Sequence, residues 1–315
     1  MSTFSTATLG VITATASSQR DAVRDQVKMV KMTCTRRHLG KIALAALPGG
    51  KLLAKPNSRY YGVQIGIILS PTALRDIPIG ADEILKNLVE LGIGGIEMQE
   101  VRVEKYAGAP PAPQGTGRTP LTAEQQEARR KAEAEIKAWR LSASMDKYKA
   151  LRRKYADAGV EMYAFRLARL TKDTSDDELA YFFNTAQALG ANQITVELPI
   201  DAGLTQRLGA YAAKRKVMIG YHNHTQVNFN SWDTALSQSK YNGINFDVGH
   251  FAAAVSQSPI PFIQKHHDRI TCLHLKDRKF GGPTAAKTCL GVRGIPSQRD
   301  PGNDAEGEIQ VPGRH

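Results

Sequence analysis

Val217-Met218-Ile219-Gly220-Tyr221-His222-Asn223-His224, Ile244-Asn245-Phe246-Asp247-Val248-Gly249-His250 and Ile270-Thr271-Cys272-Leu273-His274-Leu275-Lys276-Asp277 follow one another in the C-terminal half of the chain. Each is a short, β-rich, nearly continuous apolar run that ends in imidazoles, carboxylates or an amine. Such runs suit strands buried on both faces, as in a parallel sheet flanked by helices. Helical stretches separate the three, at Ser231–Ser239 and Pro261–His267. The alternation continues toward the N-terminus. Further strands are predicted at Tyr61–Leu69, Gly92–Met98, Gly159–Arg166 and Asn192–Leu198, and helices at Ala81–Leu91, Ala123–Ala158, Asp176–Leu189 and Leu204–Lys214. Glycine joins helix to strand at Leu91-Gly92, Ala158-Gly159 and Leu189-Gly190, relieving the left-handed backbone at a helix end. Repeated β-α units imply a parallel sheet. No G-x-G-x-x-G follows the first strand, which removes the main support for a dinucleotide-binding sheet. The prediction is α/β: a (β/α)8 TIM-type barrel, incomplete, with seven legible strands.

Composition narrows the function classes. The 315 residues allow one large domain or two small ones. Apolar residues make up 42% and charged residues 23%, which excludes a disordered or collagen-like chain. No run approaches the ~20 apolar residues of a membrane span. Cys34, Cys272 and Cys289 are too few and too scattered for a disulfide scaffold or a thiolate zinc site. The net charge of +12 raises the question of a nucleic-acid partner. Its distribution argues against one: residues 1–55 hold nine Lys/Arg and two Asp, whereas residues 56–277 hold 27 basic and 24 acidic residues.

Residues 1–55 read as a leader. Thr35-Arg36-Arg37-His38-Leu39-Gly40-Lys41 precedes the weakly apolar Ile42-Ala43-Leu44-Ala45-Ala46-Leu47, the layout of an export signal. It resembles a twin-arginine signal, which implies an exported, periplasmic protein. Met29 or Met32 would give such a signal a normal start. The other reading is a basic amphipathic helix on a cytoplasmic protein, favoured by Lys51 inside the apolar run. The barrel is then expected over residues 56–283. Within it, the Pro- and Gly-rich Ala107–Thr122 reads as a surface loop, and the charged helix after it as a solvated face.

A parallel barrel builds its site where the strands end. Glu197 ends the fourth strand, His222 and His224 the fifth, Asp247 and His250 the sixth, and His274 and Lys276 the seventh. Side chains alternate along a strand, so His222 and His224 share a face, as do His274 and Lys276. Imidazoles and a carboxylate converging on one mouth suit a divalent metal: Mn, Co, Fe, Zn or Mg. The metal would polarise a carbonyl or hydroxyl oxygen and lower the cost of an enediolate. Taken singly, a strand histidine is a core residue and Asp247 a helix cap. Three consecutive strands ending this way, in a chain with eight histidines, point to a site.

At these residues the chain resembles the sugar phosphate isomerase/epimerase superfamily, the xylose-isomerase-like barrels that also include endonuclease IV. The resemblance covers about Tyr60 to Gly282. Its more specific parts are the D-x-x-H at Asp247 and His250 and the H-x-K-D at His274 to Asp277. It implies that His222, Asp247 and His274 are metal ligands. It implies substrate or proton-relay roles for His224, His250 and Lys276. Glu97, ending Gly95-Ile96-Glu97, would be a substrate-side residue. Members often read Glu-Asn-His at the end of strand five, and here His222 stands in the Glu position. The family's fourth ligand, a Glu on strand eight, has no counterpart. The two-carboxylate epimerase mechanism therefore does not carry over whole, and Glu197 is the carboxylate left to act as base.

The family continues past Lys279 into a W-G-x-G stretch, a helix and a last strand. Residues 284–315 instead contain Pro296, Pro301 and Pro312 and no strand-length apolar run. A frameshift that replaced the last helix and strand is the expectation, leaving an irregular tail. The barrel would then have an open edge between its first and seventh strands. The expected function is a metal-dependent sugar isomerase or epimerase working by proton transfer next to a carbonyl, impaired by that loss. A lyase or hydrolase acting on keto-sugars or glycosides, or a sugar-binding barrel without chemistry, are the alternatives. The expected partner is a small carbohydrate and not a nucleic acid.

Overall fold

A computed structural model describes residues 11–15 (as backbone), 55–68, 80–111, 120–167, 170–199, 201–276, 278 and 280. In chain order the elements are β1 (Val11–Thr15), β2 (Arg59–Tyr60), β3 (Val63–Ile68), α1 (Ala81–Glu90), β4 (Gly95–Gln99), α2 (Glu100–Ala107), α3 (Ala123–Ser142) and α4 (Asp146–Asp157). Then come β5 (Glu161–Arg166), α5 (Asp176–Leu189), β6 (Gln193–Glu197), α6 (Ala202–Arg215), β7 (Met218–His222), α7 (Asp233–Gln238), β8 (Asn242–Asp247), α8 (Val248–Val255), α9 (Ile260–His266) and β9 (Ile270–Leu275). The strands β3 to β9 lie side by side in sequence order, each parallel to the next. All seven predicted parallel strands are present.

Alternation along each strand sorts the side chains into two environments. Ile96, Met98, Phe165, Ile194, Val196, Ile219, Ile244 and Phe246 are buried in one apolar core with the helices. Phe246 stacks on Phe262 of α9, with centroids 4.8 Å apart, and meets Phe251 of α8 at 5.0 Å. The intervening residues Glu97, Thr195, His222, Asn245, Asp247 and His274 are polar, buried and gathered on the other face. The sheet is thus apolar toward its helices and polar toward its inside.

Local chemistry sets the helix ends. Thr122 with Gln125, and Ser175 with Glu178, form reciprocal capping boxes at α3 and α5. Gly190 ends α5 at φ 76°, a left-handed conformation that an L side chain adopts at a cost. The long helix predicted over Ala123–Ala158 is two helices. Ser142 Oγ bonds back to the Trp139 carbonyl, and Ser144 Oγ accepts from the Asp146 N–H. Such hydroxyls give the backbone a competing partner, and Ala143 is extended. The first strand, predicted from Tyr61, begins at Val63. Tyr61 (φ 48°) and Gly62 (φ 82°) form a tight turn that folds β2 back on β3. Helices α2 and α8 follow their strands directly and were not expected as separate elements.

The larger difference lies at residues 11–15, inside the segment read as a leader. A leader with no part in the fold was the expectation, yet its β1 pairs antiparallel with β3, from Val11↔Ile68 to Thr15↔Gln64. It also pairs antiparallel with β9, from Ile12↔Leu275 to Thr15↔Cys272. The gap between the first and last parallel strands is therefore bridged by backbone from the N-terminal segment. The twin-arginine-like stretch and the tail 284–315 lie outside the described residues.

Helix α3 fully buries only Ile136, packs Trp139 against the core, and carries an ionic cluster. Arg140 donates from Nε to Glu104 Oε1 at 2.7 Å, pairs with Glu100, and lies 4.8 Å over the Phe182 ring. Removing one partner of a buried pair strands the other, at a typical cost of ~3–5 kcal/mol. Arg140→Met is expected to destabilise by about 3 kcal/mol, read by chemical denaturation. A loss within 0.5 kcal/mol would mean that the cluster does not hold α3.

Candidate metal centre and proton-transfer line

The polar side chains converge at the C-terminal ends of β6 to β9. Register does most of the work: Glu197 is opposite His222, His222 opposite Asn245, and Asp247 opposite His274. Asp247 has two duties. Its Oδ1 accepts the His250 N–H at 2.9 Å, capping α8. Its Oδ2 faces Lys276 Nζ at 2.5 Å, His250 Nε2 at 3.8 Å and His222 Nε2 at 4.0 Å. Asn223 clamps the Asp247 backbone, donating to its carbonyl at 3.1 Å and accepting its N–H at 2.8 Å. Gly249 lets α8 start against β9, since a Cβ there would meet the Lys276 carbonyl oxygen.

The ligand-type atoms of His222, Asp247 and His274 lie within 4.8 Å of one another, and all three residues are buried. The rings of His222 and His274 are 4.7 Å apart. Behind them lies Glu97, which accepts from His274 Nε2 at 2.8 Å and from Asn245 Nδ2 at 3.2 Å. Its exposure is 0%, so it sits beneath the imidazoles rather than at the surface of the mouth. Burial pushes the Glu97 carboxyl up, but His274, Arg166 and Asn245 outweigh it and hold it below the usual carboxylate value. Burial, reinforced by His274, Arg166, His224 and Lys276, holds the His222 imidazole well below its ordinary value.

Nearer solvent, a second line of groups crosses the mouth. Arg278 Nη1 donates to His250 Nδ1 at 2.8 Å, His250 Nε2 is 3.2 Å from His224 Nδ1, and His224 Nε2 is 3.2 Å from Glu197 Oε2. Arg166 pairs with Glu197 and lies 3.8 Å from Glu97. Burial, with Lys276, His224 and Arg278, outweighs Asp247 and lowers the His250 ring to about 4. Burial raises the Glu197 carboxyl, but His224 and Arg166 prevail and hold it low. At neutral pH the line therefore contains a neutral His250 and an ionised Glu197.

The structure thus brings Glu197, His222, His224, Asp247, His250, His274 and Lys276 to one mouth, with Glu97 below. Sequence reasoning passed over Arg166, Asn245, Asn223 and Arg278. Asn245 carried a usable signal: a polar residue two positions before Asp247 in an apolar strand shares its face. Arg166 ends its strand as Glu197 does.

No family model and no curated protein matches the chain. Among solved structures it is similar to a xylose isomerase domain protein from Planctomyces limnophilus, with 12% identity, a TM-score of 0.45, and coverage of 66% of this chain and 75% of that one. It is also similar to a sugar phosphate isomerase/epimerase from Parabacteroides distasonis, with 15% identity, a TM-score of 0.42, and coverage of 72% and 81%. A third is 3-keto-D-glucoside 4-epimerase from E. coli, with 9% identity, a TM-score of 0.41, and coverage of 65% and 75%. The fold class stands on the strand order described above. Among the described residues, no helix is long and apolar enough to cross a membrane.

Proposed function

We propose that the chain is a metal-dependent enzyme of the sugar isomerase or epimerase type, moving a proton at a carbon next to a carbonyl. The observation that carries this reading is the convergence of His222, Asp247 and His274 beside the Glu197–His224–His250 line. The donor set fits a divalent cation such as Mn, Co, Fe, Zn or Mg: two imidazoles and a carboxylate. Asp247 Oδ2 is buried, and its near neighbour is already a cation, the Lys276 ammonium at 2.5 Å. A divalent ion held there would polarise a carbonyl or hydroxyl oxygen of the sugar.

The chain's own groups then handle the proton. Arg278 donates to Nδ1 of His250, so the hydrogen of that ring sits on Nε2, facing His224. His224 in turn presents Nε2 to Glu197. Glu197, partly exposed at the rim, takes the proton from carbon and gives it back to the substrate, and His224 at 3.2 Å can hold that proton in between. Lys276 turns from Asp247 to steady a substrate oxygen. A lyase is the second reading, favoured by one observation: the rim line contains a single carboxylate. Epimerisation from two faces needs two bases, whereas elimination next to a carbonyl needs one.

The test is metal analysis of the purified chain with a panel of sugars and keto-sugars, with and without chelator. One divalent ion per chain and chelator-sensitive interconversion are expected, and an unsaturated product would assign the lyase. A protein that binds sugar but no divalent ion would leave a sugar-binding barrel without chemistry.

A further inference from the structure

We infer that Glu97 is a positioning residue that sets the tautomers of both imidazoles at the proposed metal centre. This deepens the metal reading and rests on it. A carboxylate only accepts, an amide carries its donors on nitrogen, and a neutral imidazole has one of each. His274 Nε2 lies 2.8 Å from Glu97 Oε2, so Nε2 must carry the hydrogen, and in the neutral ring Nδ1 then keeps the lone pair. Asn245 Nδ2 lies 3.2 Å from the same oxygen and 3.0 Å from Thr195 Oγ1. That orients the amide, and its Oδ1 faces His222 Nδ1 at 3.4 Å. His222 must therefore donate from Nδ1, which leaves the Nε2 lone pair facing Asp247.

One buried carboxylate oxygen thus decides, directly for His274 and through Asn245 for His222, which nitrogen of each ring can take a cation. Arg166 completes the arrangement from the far side, with Nη1 at 3.8 Å from Glu97 Oε1. Glu97 touches neither the mouth nor a position that substrate can reach, since it is fully buried. Groups that orient metal-ligating imidazoles typically contribute 10–100-fold to metal affinity.

The experiment is nitrogen-15 NMR of the histidine rings in the metal-free full-length protein at pH 8, with Mn²⁺ or Zn²⁺ affinity measured by calorimetry. In the wild type, His274 is expected as the Nε2–H tautomer and His222 as the Nδ1–H tautomer. Glu97→Met, which removes the acceptor, is expected to mix both tautomers and weaken metal binding about 10–100-fold. Glu97→Gln, which can still offer an oxygen to both donors, is expected to restore the tautomers and most of the affinity. A wild-type His274 protonated on Nδ1, or tautomers unchanged in Glu97→Met, would overturn the inference. The wild-type spectrum decides it even where Glu97→Met does not fold. The expected tautomers in a wild type that binds no metal would overturn the metal reading and leave the role of Glu97 standing.

Discussion

Asp247→Asn is expected to leave the protein folded and to cut divalent-cation affinity by about 100-fold or more, the upper end of what losing support at a metal site costs. The two oxygens of Asp247 separate the effects. Oδ1 caps α8 through the His250 N–H, and an amide oxygen can do the same. Oδ2 is the buried anionic oxygen facing Lys276 and His222, and an amide offers no charge there to balance a dication. Asp247→Ala should lose both, adding about 1 kcal/mol of destabilisation for the missing cap. Calorimetric titration with Mn²⁺ or Zn²⁺, run beside thermal unfolding, reads the two separately. Unaltered metal affinity in the Asn variant would reduce Asp247 to a helix cap.

Deleting residues 1–31 is expected to destabilise the barrel by several kcal/mol and to speed hydrogen exchange in β3 and β9 above the middle of the sheet. Strand β1 pairs with both, through Val11↔Ile68 to Thr15↔Gln64 on one side and Ile12↔Leu275 to Thr15↔Cys272 on the other. Each ladder bond contributes a net ~0.5–1.5 kcal/mol. Without β1, both strands present open edges, which invite pairing between chains. The consequence reaches the site, because Thr13 is the backbone partner of His274. The deleted protein should therefore aggregate more readily and bind metal less well. Exchange rates in β3 and β9 matching the full chain would return the segment to a leader outside the fold. The two readings exclude each other in one molecule: export with cleavage past residue 54 would carry β1 away with the signal.

The seven parallel strands, the class of fold and the mouth residues were legible because they depend on short-range pattern. Apolar runs of strand length recur between helical stretches, and period-two alternation puts His222, Asp247 and His274 on the inward face wherever their strands lie. The ends of those strands form the mouth of any parallel barrel, so the candidate ligands could be read before their distances were known. The break at Ala143 and the turn at Tyr61-Gly62 were local too, but small. They turn on serine hydroxyls and one glycine, which an apolar pattern does not register.

What the tertiary structure alone decided lies between residues far apart in the chain. Glu97 meets Asn245 across 148 positions and His274 across 177, and no local pattern distinguishes a carboxylate under two imidazoles from one facing substrate. The same holds for β1, five residues whose partners are 49 or more positions away. A strand's own sequence records its wish for neighbours, through alternation and β-branched residues, but not their identity. Pairing is backbone chemistry common to all residues, so the choice of partner is made by which edges the rest of the fold leaves open.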